Sequence, residues 1–373
     1  MSIYLHIPFC KQACYYCDFH FSTSLKRKKE MIAALVRELE LRKNEISGQV
    51  ETIYFGGGTP SLLGVDEIEI LIETICKNYN VIGSPEITLE ANPDDLTKEK
   101  IKELAVSPVN RLSIGIQSFF DEDLQWMNRA HNARDSKMCL DVATAYFDNI
   151  TIDLIYGIPG MGHDRWLENL NHFFNYGIKH LSAYALTVEP KTALANFIKK
   201  KKYKNVSDAL AQEHFNVLLA KAEANGFVHY ETSNFGKPGY FSTHNTAYWL
   251  SKPYLGIGPS AHAFNGEHRS WNVANNAKYL RAIANDTLPQ TIEKLSKKDR
   301  FNEQIMTGLR TVWGVDLERV KDDFGLDFKN QLIENAQKFL VAGLLELDNQ
   351  KTLKTTNKGK FLADGIAADL FVI

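Results

Sequence analysis

Cys10, Cys14 and Cys17 stand in the run HIPFCKQACYYCDF, with three residues between the first pair and two between the second. A [4Fe–4S] cluster normally takes four cysteine ligands. Three on one loop leave one iron open, and an open coordination position is where a metal centre does chemistry. Two blander arrangements use the same residues. His20, three residues after Cys17, could complete a Cys3His zinc site, and a thiol pair could form a disulfide.

Other residues with chemical potential recur along the chain. GGGTP at 56–60 supplies consecutive glycines, whose missing Cβ lets a ligand approach the backbone; its plain alternative is a tight turn. LEANP brings Glu90, a carboxylate placed to accept hydrogen bonds from a ribose diol, followed by Asn92 and Pro93. SIGIQSF presents Gln117 and NRAH presents Arg129. DLIYGIPG carries Asp153 inside an apolar segment, where a polar group costs free energy unless it has a partner or a ligand. Each alone could be a cap or a satisfied core residue. Their ordered succession at strand ends points to one site.

A frame must bring these residues together. Apolar runs at 3–7, 52–55, 86–90, 111–116, 151–155 and 180–186 read as strands. Helical patterns at 26–45, 66–77, 98–104, 136–147 and 166–175 fall between them. This alternation argues for an α/β protein with a parallel sheet covered by helices. Six repeats agree with an open, partial (β/α)6 barrel, although periodicity alone leaves a doubly wound sheet open. Each unusual motif follows a strand at its C-terminal end, where such sheets bind ligands.

Composition shifts after residue 285, dividing the chain into 1–285 and an accessory domain at 286–373. Helical patterns at 297–311, 317–323 and 330–342 precede LLELDNQKTLKTT, which reads as a two-stranded ribbon, and a last helix is expected from near Asn357. Helices plus a ribbon predict a small winged-helix-like domain. It reads as a packing or lid domain, because no basic recognition helix stands out.

The 373 residues carry a net charge of −2, which gives no electrostatic case for nucleic-acid binding. No apolar stretch approaches the roughly 20 residues that span a bilayer. The strand-like start lacks a signal-peptide layout, and five cysteines with three clustered form no disulfide framework, so a cytoplasmic protein is expected. Cys76 and Cys139, in amphipathic helical patterns, are expected as small core or groove residues. The run KKKKYK at 199–204 reads as a solvated helix end, with heme propionates or an anionic membrane surface as its functional alternative.

Together the motifs resemble the radical S-adenosylmethionine (SAM) superfamily, and within it the oxygen-independent coproporphyrinogen III oxidases and the HemW-type heme chaperones. The resemblance runs along essentially the whole chain. It implies that Cys10, Cys14 and Cys17 hold a [4Fe–4S] cluster whose open iron SAM chelates. It further implies SAM contacts for Tyr4, Tyr16, Gly57, Gly58, Thr59, Glu90, Gln117, Arg129 and Asp153, and less securely for Ala185.

Two features separate the relatives. The oxidases carry a fourth cysteine two residues after the third, where this chain has Phe19. HNTAYW at 244–249 is similar to the HNxxYW signature of the heme chaperones. A neutral imidazole is the usual axial ligand to heme iron, and neighbouring aromatic rings suit a macrocycle. The resemblance therefore implies heme held through His244, with His262 in GIGPSAHAF ranked second. It also implies delivery to heme-requiring recipients such as membrane respiratory enzymes, peripheral contact with the inner membrane, and a homodimer. The rival reading is an oxygen-independent coproporphyrinogen III oxidase.

Overall fold

The computed structural model describes residues 1–349 and 351–372. Its centre is six parallel strands: β1 (Ser2–Ile7), β2 (Val50–Gly57), β3 (Val81–Ala91), β4 (Arg111–Gln117), β5 (Ile150–Tyr156) and β6 (His180–Ala185). They pair strictly in chain order. A doubly wound sheet reverses its order at a switch point. Here none occurs along the six, so the crossovers turn one way and the sheet curls into a partial (β/α)6 barrel.

The strands alternate in a way that explains the curl. Ile3 and Leu5, Ile53 and Phe55, Leu112 and Ile114, Ile152 and Leu154 are buried and share one core with helix residues such as Leu35, Leu71 and Leu140. The intervening positions carry Tyr4, Tyr54, Glu90, Ser113, Asp153 and Ser182, so the opposite, concave face is polar. A buried polar face is affordable only where side chains pair with one another or with a ligand.

The helices are α1 (Lys28–Leu41), α2 (Val65–Asn78), α3 (Lys98–Val106), α4 (Asp121–Trp126), α5 (Ala133–Tyr146) and α6 (His163–Asn175). Two differ from expectation through their caps. Asn132 and Asp135 form a capping box that starts α5 at Ala133, and α6 begins at His163 after an extended Gly162. The first helix ends at Leu41, short of the expected residue 45, where Arg42 turns in to meet Glu38.

Both edges of the barrel sheet are extended. Beyond β6, after α7 (Ala193–Lys199) and α8 (Asp208–Ala224), lies the hairpin β7 (Val228–Glu231) and β8 (Asn234–Gly236). Helix α9 (Thr243–Trp249) then leads to β9 (Tyr254–Ile257), parallel to β1, and to antiparallel β10 (His262–Phe264), β11 (His268–Asn272) and β12 (Gln290–Lys294), with α10 (Asn276–Ile283) between the last two. These short strands were not legible as elements. Each has five residues or fewer, too short for an alternation to register.

The C-terminal region runs α11 (Lys297–Leu309), β13 (Val315–Asp316), α12 (Leu317–Phe324), α13 (Leu326–Val341), β14 (Leu345–Asp348), β15 (Thr352–Thr355) and α14 (Ala363–Asp369). Its antiparallel sheet, ordered β13-β15-β14, packs on a separate core built around Phe301, Ile305, Leu332 and Leu353. This is the expected winged-helix-like arrangement; Gln350 and Ile373 lie outside the described residues. The last α-helix begins at Ala363, later than expected, after a single 3-10 turn at Lys360–Leu362. Cys139 is buried as expected, but Cys76 is exposed, because α2 packs through Ile68, Leu71, Ile72 and Ile75 and turns Cys76 outward.

Candidate functional site

The cysteine loop is closed at its base. Cys10 N–H donates to Ser22 O at 3.1 Å, and Ser22 N–H donates to Pro8 O at 2.9 Å. Its far side is pinned by Tyr15 N–H to Met127 O at 3.1 Å and by Asn128 Nδ2 to Ala13 O at 2.7 Å. The glycine turn clasps the same loop, with Gly58 N–H donating to Ile7 O at 2.9 Å and Thr59 N–H to Phe9 O at 2.6 Å. A Cβ on Gly58 would stand 2.5 Å from Phe9 O. Here the glycine admits another stretch of backbone rather than only a ligand.

All three thiols line a cavity of about 660 Å³ at the C-terminal ends of the barrel strands. Every other residue singled out for cluster or SAM contact lines it too, except Tyr4. Burial pushes the Cys10 thiol up against an opposing hydrogen bond to Thr59, and pushes Cys17 up to about 12. Such thiols lose their protons to a metal rather than to water. His20, which a zinc site would need, lines a different cavity and is hydrogen-bonded through Nε2 to Asn276 Oδ1 at 2.7 Å.

Arg129 is the hub of the chamber. Its Nη2 donates to Asn92 Oδ1 at 2.6 Å and Gly115 O at 3.1 Å, while Nη1 reaches Cys14 Sγ and Tyr16 Oη, each at 3.4 Å. Its Nε is buried without a partner among the described residues. Glu90 accepts from Tyr54 Oη at 2.7 Å and Gly57 N–H at 3.2 Å, and burial lifts its carboxyl to about 7. Burial likewise lifts Asp153 to about 6, with a hydrogen bond to Ser182 opposing. Gln117 ends β4 in the left-handed region, φ 64°, where the register to β5 breaks. A non-glycine residue pays a modest conformational cost there.

His244 and Tyr4 lie apart from that chamber. Helix α9 packs against β2 and floors the barrel: Glu86 accepts the backbone N–H groups of Thr243 and His244, each at 2.9 Å. The His244 ring is buried, with Nδ1 2.7 Å from Thr52 Oγ1, Nε2 2.9 Å from Tyr248 Oη, and Tyr54 stacked at 4.7 Å. Both nitrogens are therefore engaged, and in this conformation neither faces open space. Tyr248 and Tyr4 instead line a second cavity of about 680 Å³, beside β1, β9 and β10.

Comparison with known proteins accounts for this layout. Residues 4–173 match the radical SAM superfamily and residues 295–362 match the HemN C-terminal domain. A heme chaperone HemW of Bacillus subtilis is 33% identical, over 98% of this chain and 97% of its own length. One from Lactococcus lactis is 34% identical over 98% of both chains. The chain belongs to the HemW family.

Outside the bacterial HemW proteins, a mitochondrial radical S-adenosyl methionine domain-containing protein 1 of Mus musculus is 30% identical, over 99% of this chain and 87% of its own. The coproporphyrinogen III oxidase HemN of Escherichia coli has the same fold, with a TM-score of 0.85, 22% identity and coverage of 100% of this chain and 90% of that one. Membership of the radical SAM superfamily implies a [4Fe–4S] cluster and SAM. The residues of this HemW-family chain fit both: three free thiols face one cavity, beside a buried guanidinium with an unpartnered donor. Among the described residues, no three of His, Cys, Asp and Glu converge on a single metal ion. A four-iron cluster spreads its ligands over separate irons and needs no such convergence.

Sequence reasoning missed part of the wall. Tyr184 and Phe215 line the first cavity, and so do Lys360, Phe361 and Asp364 of the C-terminal region. Phe361 seats on Phe215 with ring centroids 5.6 Å apart, so the winged-helix-like region contributes to the chamber wall. No local signal in the sequence marks these residues. Phe19 is 66% exposed and lines both cavities. No helix among the described residues is long and apolar enough to cross a membrane.

Proposed function

We propose that this protein is a heme chaperone that holds a [4Fe–4S] cluster on Cys10, Cys14 and Cys17, binds SAM beside it, and carries heme to recipient proteins. The observation that carries the reading is Phe19, an exposed aromatic between the two cavities at the position where the oxidases have a fourth cysteine. Full-length likeness to proteins named heme chaperone supports it.

In this reading the turn Gly57–Thr59 meets the methionyl amino group, and Glu90 accepts from the ribose hydroxyls. Arg129 offers its free Nε–H to an anionic group of SAM, and Tyr16, Gln117, Asp153 and Ala185 complete the wall. When bound, the cluster supplies the electron for reductive cleavage of SAM. The chain's own part is to exclude water, which the apolar Phe361–Phe215 contact in the chamber wall serves. Tyr4 acts from the second cavity, and His244 is the residue of the HNTAYW helix on which heme holding depends. Recipients are heme-requiring proteins such as membrane respiratory enzymes, reached from the cytoplasmic side, and a homodimer is the proposed assembly.

The test is anaerobic reconstitution with iron and sulfide, then hemin titration of wild type and His244→Ala, with coproporphyrinogen turnover assayed in the same preparation. Stoichiometric heme binding that weakens in the variant, without decarboxylation, is expected. Robust SAM-dependent decarboxylation would overturn the reading.

A further inference from the structure

Four histidines surround the HNTAYW helix and the second cavity, and they differ in what their nitrogens are doing. His244 is sealed between Thr52 and Tyr248. His6 is bonded through Nδ1 to Tyr4 Oη at 3.1 Å and through Nε2 to His20 O at 2.9 Å. His20 uses Nε2 on Asn276. His262, at the start of β10, is exposed, and among the described residues its imidazole has no hydrogen-bond partner. It is steadied by the indole of Trp271, stacked at 6.0 Å. Partial desolvation of the ring, then the nearby Arg269 guanidinium, holds it below the ordinary histidine range, which keeps a lone pair available at neutral pH.

The walls around His262 have a matching chemistry. Tyr248 and Tyr254 meet edge to face at 4.5 Å, and Phe264 stands 6.3 Å from Tyr254. These rings offer a broad apolar surface to a flat ligand. Arg269 lines the same cavity, one-third exposed, and its one hydrogen bond among the described residues, from Nη2 to Glu303 at 2.5 Å, leaves other guanidinium donors for an anion. The volume of about 680 Å³ falls in the range of small-molecule sites, roughly 300–1,000 Å³.

We propose that this lateral cavity is the heme-loading site, with His262 as the iron ligand, Tyr248, Tyr254 and Phe264 against the macrocycle, and Arg269 on a propionate. The proposal rests on the heme-chaperone reading and names the site for its cargo. It gives His244 a different part. The bond from His244 Nε2 to Tyr248 Oη fixes a ring that the cavity wall needs, so His244 is a positioning residue whose loss weakens heme without changing what binds the iron.

The experiment uses the reconstituted full chain, titrated with hemin and followed by the Soret band and by electron paramagnetic resonance. Wild type is expected to show a histidine-ligated spectrum. His262→Ala should bind hemin roughly tenfold more weakly or worse, lose that ligand signature, and regain it with added imidazole. His244→Ala should bind more weakly with the wild-type signature retained. Arg269→Gln should weaken hemin but not its dimethyl ester, and matching thermal midpoints will show that His262→Ala is folded. A His262→Ala protein with wild-type spectrum and affinity, beside a His244→Ala protein that loses the ligand signature, overturns the proposal and places the iron on His244. Wild type that takes up no hemin overturns the chaperone reading itself.

Discussion

His244 Nε2 lies 2.9 Å from Tyr248 Oη, one helical turn away, which joins the two side chains of the HNTAYW helix into a single closed unit under the barrel. Burial, reinforced by the Arg111 charge, holds the imidazole at about 3 rather than 6.5. Between those values the unfolded chain binds a proton that the folded one does not. The contribution of His244 to stability is therefore complete above about pH 6.5 and is lost as pH falls toward 3. Removing this histidine as His244→Gln should flatten the dependence of unfolding free energy on pH by up to about 1.4 kcal/mol per pH unit in that window. Denaturant titrations of both proteins from pH 7 to 4 check it. An unchanged slope would mean that the ring is open to water.

Gln117 carries strain that can be relieved at the expense of the site. The left-handed conformation at φ 64° costs a non-glycine residue about 1–2 kcal/mol. Gln117→Gly should raise the thermal midpoint by about 2 °C and shrink the additional rise that SAM produces. Melting curves with and without SAM separate the two effects. A lower midpoint for the apo variant would show that the side chain's contacts outweigh the strain.

Gly58→Ala tests the clasp between the glycine turn and the cysteine loop. The added Cβ would meet Phe9 O at 2.5 Å and Ile7 O at 2.8 Å, both backbone atoms that cannot swing away. We expect destabilisation of about 1–3 kcal/mol and reduced iron and sulfide content after reconstitution. Gly83→Ala, whose Cβ would meet nothing within 4 Å, is the control and should load normally. Equal loading of both variants would rule out a structural role for the clasp in holding the cluster ligands.

Glu38 anchors α1 to the edge strands beside the second cavity. Fully buried, it accepts from Arg42 Nη1 at 3.0 Å, Gly258 N–H at 2.8 Å, Asn272 Nδ2 at 2.7 Å and Tyr279 Oη at 2.6 Å. Glu38→Ala leaves Arg42 buried with one ion-pair partner fewer and should cost about 3–5 kcal/mol. Urea unfolding measures it, and a loss below about 1 kcal/mol would mean that water replaces the carboxylate.

The chemistry of the first chamber was legible in the chain because it is written in local runs. The spacing of Cys10, Cys14 and Cys17, the glycines before Thr59 and the strand-end positions of Glu90, Gln117 and Asp153 are set by a few neighbouring residues each. The parallel order of the strands gathers such ends on one rim, so the residues found one by one meet in one cavity. The family likeness of the HNTAYW run was legible too. What its histidine touches was not. Thr52 lies 192 residues from His244 in the chain, and only the packing of α9 on β2 brings them together. The same holds for Phe361 in the chamber wall, for Cys76 turned outward on α2, and for the cavity that His262 and Tyr248 share. Periodicity states which residues are buried or polar along one element. Which nitrogens remain free depends on partners supplied by distant elements, and that only the tertiary structure decides.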